Sequence, residues 1–173
     1  HFWSKYDHFF GHFWPILAYI IILAPSPAAF KRIYKKEFIP AKPGYFGIQD
    51  KYGIRLLTKI RVDCSDLRDH RCNHGFVNCP SPLCRCNLED ETSEHFFARC
   101  PNYSVQRATL LRTISGILNN DITVLPDSHL TNVLLYGSNA YNEITNKLIL
   151  EASILYVKST KRFHKLEAFT IHL

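Results

Sequence analysis

The sequence predicts a mainly α protein, a small helical domain with a central zinc knuckle. Three observations point there. Apolar residues recur at three- and four-residue spacing along most of the chain, and no segment shows sustained two-residue alternation. A Cys/His group spaced C-x-C-x8-H-x4-C lies near the middle. Pro and Gly cluster between the periodic segments, where helix connections need them. With 173 residues, 46% of them hydrophobic and 21% charged, the chain can bury a core and is not a disordered tail or a fibrous repeat. It contains no Met, so it reads as a fragment of a longer protein.

The first element is an apolar run, Ile16 to Ala24, between Pro15 and Pro25. It has about half of the ~20 apolar residues a membrane span needs, so it reads as a buried helix or strand. A signal peptide cleaved among the small residues Ala24 to Ala29 is the alternative, with only Lys5 basic ahead of the run. Ser26-Pro27 then caps a helix, AAFKRIYKKEF, with Phe30, Ile33 and Tyr34 on one face and Lys31, Arg32, Lys35 and Lys36 around the others. Pro40, Pro43 and Gly44 mark a linker. The chain therefore divides into an N-terminal apolar segment and basic helix (1–45) and a zinc-binding helical domain (46–173).

Within the second part, spacing predicts a helix over 48–61 with Ile54, Leu57 and Ile60 inward. Ser65 can cap a short helix, SDLRDHR, and residues 73–86 are Pro- and Cys-rich and irregular. The knuckle occupies 82–103 and C-terminal helices fill 104–163. The first of these starts at Ser104, with Val105, Ala108, Leu111, Ile114 and Leu118 at core spacing. A shorter one, capped by Asp127 or Ser128, runs through Leu135 and ends at Gly137. The last spans 141–160 and carries Ile144, Leu148, Ala152 and Leu155.

The candidate metal ligands are Cys84, Cys86, His95 and Cys100. Three thiolates and one imidazole suit a structural zinc ion, and four protein ligands leave no open position for a catalytic water. A tight turn at Pro82 to Cys86 can present two sulfurs from one side. Thr92 or Ser93 can cap the helix that delivers His95, and Pro101 stops it just after Cys100. His and Cys five apart cannot share one face of an ideal α-helix, so Cys100 is expected at the helix end. Six cysteines also permit a disulfide framework, which the His and the weak secretion case oppose. Cys64, Cys72 and Cys79 are then spare thiols. Glu89-Asp90-Glu91 reads as a solvated loop. No nucleophile elbow, Gly-rich phosphate loop, His-Glu-x-x-His or paired-Asp polymerase motif is present. The chain alone does not read as an enzyme.

The net charge of +6 is unevenly spread: residues 31–85 hold 12 Lys/Arg against 5 Asp/Glu. A basic stretch of this kind suits a polyanion, because each neutralised phosphate releases counterions. The candidate phosphate contacts are Lys31, Arg32, Lys35, Lys36, Arg55, Lys59, Arg61, Arg68, Arg71 and Arg85. Tyr45, Phe46, Tyr52 and Tyr103 could stack on unpaired bases.

Several segments resemble the region C-terminal to the polymerase in reverse transcriptases of non-LTR (LINE-type) retrotransposons. They are GIRLLTKIR (53–61), DLRDH (66–70), PLCRCNLEDETSEHFFARCPNY (82–103) and LLYGSNAYNEITNKLILEASILYVKSTKRF (134–163). Trp14-x-x-Leu17 and the Ser-Pro-x-x-Phe-Lys helix extend the likeness, so it covers most of the chain in the same order. The family's zinc quartet falls on Cys84, Cys86, His95 and Cys100, the residues that spacing also selects. Where the family often has Gly after the second Cys, this chain has Asn87, which tolerates a left-handed turn. The resemblance implies an intracellular, nuclear or cytoplasmic appendage that binds template RNA or target DNA beside an upstream reverse transcriptase domain, with no membrane or small-molecule substrate. Two other readings are a zinc scaffold that packs on the polymerase without touching nucleic acid, and a small secreted disulfide-linked protein.

Overall fold

Asp50 starts the first described helix, where its Oδ1 accepts a hydrogen bond from the Gly53 N–H at 2.8 Å. The computed structural model describes residues 47–163. The apolar run at 16–24, the helix after Ser26-Pro27, the candidate contacts Lys31, Arg32, Lys35 and Lys36, and Tyr45 and Phe46 lie outside the described residues. Five α-helices and no strand are present among the described residues: α1 (Lys51–Arg61), α2 (Arg68–Asn73), α3 (Ser104–Leu118), α4 (Asp127–Tyr136) and α5 (Glu143–Ser159). No described helix is long and apolar enough to cross a membrane.

The helix ends follow local chemistry. Asn119 closes α3 in the left-handed conformation, φ 49°, and Gly137 closes α4 at φ 77°. Asn142 caps α5 by accepting from the Thr145 N–H at 2.8 Å. Buried Asn146 then holds the α4–α5 connection, bonding to both the N–H and the carbonyl of Ser138. A Cβ at Gly137 would meet that Asn146 side chain, so the position excludes other residues on two counts.

Helix α5 is the axis of the domain and packs against α1, α3 and α4. Its inward side carries Ile149, Leu150, Ala152, Ser153, Ile154, Tyr156 and Val157, all buried. The expected stripe was different: Ile144, Leu148 and Leu155 are exposed, and only Ala152 of that set is buried. Likewise on α3 the buried residues are Leu110 and Ile114, with Leu111 and Leu118 partly buried, while Val105 and Ala108 face solvent. Both helices carry more than one apolar row at helical spacing. The row that wins on α5 includes small Ala152 and Ser153, which permit close approach, and Tyr156, whose hydroxyl donates to the Phe96 carbonyl at 2.6 Å.

Close approach is sharpest at Gly53, where an added Cβ would collide with the Ile154 side chain across the α1–α5 contact. Helix propensity alone would make Gly53→Ala stabilising by ~1 kcal/mol. We expect the opposite sign, a loss of about 1–3 kcal/mol from overpacking, read by urea unfolding. A stabilised variant would show that α1 does not pack this closely on α5.

Candidate metal centre

The knuckle is a miniature hairpin. The Cys84 N–H donates to the Glu89 carbonyl and the Glu91 N–H to the Pro82 carbonyl, both at 2.9 Å, with Leu83 and Asp90 in antiparallel bridge. The turn between them closes with Asn87 N–H to Cys84 carbonyl at 2.9 Å, and Asn87 takes the left-handed conformation, φ 63°, that its side chain tolerates. Two sulfurs, Cys84 and Cys86, thereby converge from one tight turn.

The other two donors come from the segment that follows the hairpin. Thr92 Oγ1 accepts from the His95 N–H at 3.0 Å and so caps the turn that carries the imidazole. Residues His95–Arg99 then form a π-helical turn, and the Cys100 N–H donates back to the His95 carbonyl at 2.7 Å. The expectation that an ideal helix separates His95 from Cys100 holds for an α-helix, and the wider turn removes the conflict. Phe96 and Phe97, both fully buried, plug this turn into the core against Tyr103, Tyr156 and Phe163.

One donor atom from each of Cys84, Cys86, His95 and Cys100 lies within 4.8 Å of every other. The Cys84 and Cys100 sulfurs are 3.7 Å apart, and Cys86 Sγ is 3.3 Å from His95 Nε2. Cys84, His95 and Cys100 are fully buried and Cys86 partly so. The group could hold a metal ion. No protein-family model, curated protein or solved structure matches the chain. The donor set and its surroundings carry the functional reading.

As free thiols, Cys84 and Cys100 resist ionisation. Burial pushes Cys84 up to about 12 and also raises Cys100. Cys86 is lowered: burial opposes ionisation there, and the Leu88 N–H with the Cys84 thiol outweighs it. Binding a cation must therefore expel protons from Cys84 and Cys100, so metal affinity should fall as pH falls.

A residue that spacing did not identify stands beside the imidazole. Glu89 Oε1 lies 2.9 Å from His95 Nδ1, an ion-pair distance off the linear N–H direction, which leaves Nε2 facing the sulfurs. Arg99 holds Glu89 through both carboxylate oxygens and, with His95, keeps its carboxyl down at about 2. The same guanidinium reaches Glu94 and Asp127, tying the π-turn to α4. A carboxylate behind a ligating imidazole orients it and raises its basicity, and such partners matter 10–100-fold for metal affinity. Glu89→Gln should therefore weaken metal binding by roughly 10–100-fold in a chelator competition while the far-ultraviolet spectrum stays unchanged. Unaltered affinity would remove Glu89 from the site.

The acidic run is consequently not the solvated loop expected. Glu89 serves the imidazole, and Glu91 is buried, with Oε1 and Oε2 taking Arg162 Nε and Nη2 at 2.7 and 2.6 Å. Glu91 Oε2 also accepts from the Arg68 N–H at 2.8 Å, at the start of α2. Only Asp90 is exposed. Buried His70 is a further joint: its Nδ1 lies 2.8 Å from Ser65 Oγ, and its Nε2 lies 3.2 Å from Asp63 Oδ1 and 3.3 Å from Ser93 Oγ. Both ring nitrogens therefore face oxygen partners.

The basic candidates separate into two groups. Arg61, Arg68 and Arg71 hold the fold together. Arg61 donates to the Leu135 carbonyl and lies over the Tyr136 ring, and Arg68 Nε donates to the Ser81 carbonyl at 3.2 Å. Arg71 bonds the Asn78 side chain. Arg55 and Lys59 are half-buried on α1, Arg55 lying over Tyr52, and Arg85 is exposed between two of the candidate ligands.

Proposed function

We propose that the chain is a zinc-stabilised nucleic-acid-binding appendage of a non-LTR retrotransposon reverse transcriptase, with no catalytic residues of its own. The observation that carries this reading is the buried Cys84–Cys86–His95–Cys100 group. Thiolate and imidazole donors favour zinc among common cellular cations. Bonds of about 2.3 Å to sulfur and about 2.0–2.1 Å to nitrogen at tetrahedral angles separate two sulfurs by about 3.8 Å, and a sulfur from a nitrogen by about 3.6 Å. The separations of 3.7 and 3.3 Å lie within a few tenths of an ångström of these. When bound, zinc would supply cross-linking of the hairpin to the π-turn. The chain's own residues do the rest: Glu89 orients the imidazole, Phe96 and Phe97 anchor the turn, and burial keeps water from the sulfurs.

Arg55, Lys59 and Arg85 remain the best phosphate contacts among the described candidates, joined by the four basic residues at 31–36. Internal engagement of Arg61, Arg68 and Arg71 favours the second reading, a zinc scaffold packed on a polymerase domain and indifferent to nucleic acid. A salt series on the zinc-loaded chain with single-stranded RNA and DNA separates the two. The first reading expects binding whose log-log salt slope falls by about 1 for each phosphate contact removed in Arg55→Ala, Lys59→Ala or Arg85→Ala. Absence of binding at low salt, or a slope unmoved by all three, would overturn phosphate contact by this face.

A further inference from the structure

The six cysteines occupy three settings. Cys84, Cys86 and Cys100 belong to the metal group. Cys64 Sγ donates to the Val62 carbonyl at 3.3 Å and lies 3.8 Å from His74 Nε2. Cys72 and Cys79 face each other with their sulfurs 2.7 Å apart. That separation contrasts with the 3.7 Å between Cys84 and Cys100. Sulfurs that share a tetrahedral ion stand about 3.8 Å apart, so 2.7 Å leaves no room for one. Nor does a third donor join the pair: among the described residues, only the Cys84 group gathers three or more metal-ligating side chains.

We propose that Cys72 and Cys79 form a redox site that closes to a disulfide by exchange with a small-molecule disulfide of the glutathione class. The fold already brings the two sulfurs together. Cys72 sits in the last turn of α2, and the chain reverses through Gly75 at φ 69°. Hydrogen bonds from Gly75 N–H to the Cys72 carbonyl, Phe76 N–H to the Arg71 carbonyl and Cys79 N–H to the Phe76 carbonyl, at 2.9, 3.1 and 2.9 Å, set the loop. Arg71 braces it by bonding Asn78 and lying over the Phe76 ring. Access is open as well. Both cysteines are only partly buried, and the loop between them is largely exposed, with Val77 fully so.

The exchange runs in two steps. One cysteine thiolate attacks a glutathione disulfide sulfur, forming a mixed disulfide and expelling one glutathione thiolate. The second cysteine thiolate attacks the protein sulfur of that mixed disulfide and expels the other glutathione. Two cysteine thiols are thus oxidised to one disulfide, one glutathione disulfide is reduced to two thiols, and the two protons pass to the leaving thiolates. The product ties the end of α2 to the segment that leads into the metal hairpin. Neither a metal ion nor nucleic acid takes part in the exchange itself.

The test incubates the folded full chain in glutathione buffers of graded ratio, traps remaining thiols with a maleimide, and reads intact mass, peptide map and zinc content. In zinc-loaded protein the maleimide adducts should fall from three to one, with a single Cys72–Cys79 cross-link and zinc retained. Cys79→Ser should stop at a stable glutathione adduct on Cys72, and Cys64→Ser should form the cross-link as the parent does. A chain that purifies folded without zinc and forms the same cross-link supports this site and counts against the zinc reading alone. The inference is overturned if both thiols stay labelled at the most oxidising ratio, if the parent chain accumulates glutathione adducts at Cys72 or Cys79, or if the disulfide that forms uses other cysteines.

Discussion

Cys84→Ala should abolish the cooperative fold of the domain. In small zinc domains the apparent metal-binding free energy is about 10–16 kcal/mol and is coupled to folding, which rivals the ~5–15 kcal/mol total stability of a typical domain. Here the coupling is direct, because the turn that carries His95 and Cys100 also carries Phe96 and Phe97, the aromatic centre of the core. Loss of one sulfur leaves three donors and frees that turn. We expect no sigmoidal thermal transition for Cys84→Ala or His95→Ala by circular dichroism, whereas Cys64→Ala, outside the group, melts close to the parent. Acid should act in the same direction. Cys84 and Cys100 must lose protons on binding, and burial raises both, so the parent's melting temperature should drop as pH is lowered and recover with added zinc. A Cys84→Ala protein that melts like the parent would show that the core holds the turn without metal.

The second large effect is at Glu91. Its carboxylate is 1% exposed and joins three parts of the chain: the metal hairpin, the start of α2 through the Arg68 N–H, and Arg162 beyond α5. Arg162 in turn bonds the Asp66 carbonyl at 2.7 Å. Removing one member of a buried ion pair leaves the other charged, buried and unmatched, at a cost of about 3–5 kcal/mol. Glu91→Gln should reach that range in urea unfolding, while exposed Asp90→Asn should stay within about 0.5 kcal/mol. Replacing both partners by apolar residues, Glu91→Leu with Arg162→Met, should recover much of the loss, since the stranded charge is gone. A Glu91→Gln cost below about 1 kcal/mol would mean that water reaches the pair.

Much of the centre was legible in the sequence because its geometry is local. The spacing of Cys84, Cys86, His95 and Cys100 named the four donors, Thr92 was readable as a cap, and Asn87 as a residue able to turn left-handed. Helix limits followed the same local signals at Ser104 and Gly137. What escaped depends on partners far along the chain. Glu91 and Arg162 are 71 residues apart, and nothing in an acidic run distinguishes a buried carboxylate from a solvated one. The inward faces of α3 and α5 were misjudged for a related reason: with several apolar rows available, neighbouring helices select the row that packs. The π-turn at His95–Arg99 has no residue signature, and it arises because one turn must present His95 and Cys100 together while burying Phe96 and Phe97.

Cobalt titration of the metal-free full chain addresses the central claim most directly, because tetrahedral cobalt bound by thiolates absorbs strongly in the visible and octahedral cobalt does not. The tetrad predicts intense d–d and thiolate charge-transfer bands that saturate at one ion per chain, vanish when zinc is added, survive in Cys79→Ser and are lost in Cys84→Ser. Weak octahedral bands, no saturation at one equivalent, or an undiminished spectrum in Cys84→Ser would contradict a metal centre built from Cys84, Cys86, His95 and Cys100.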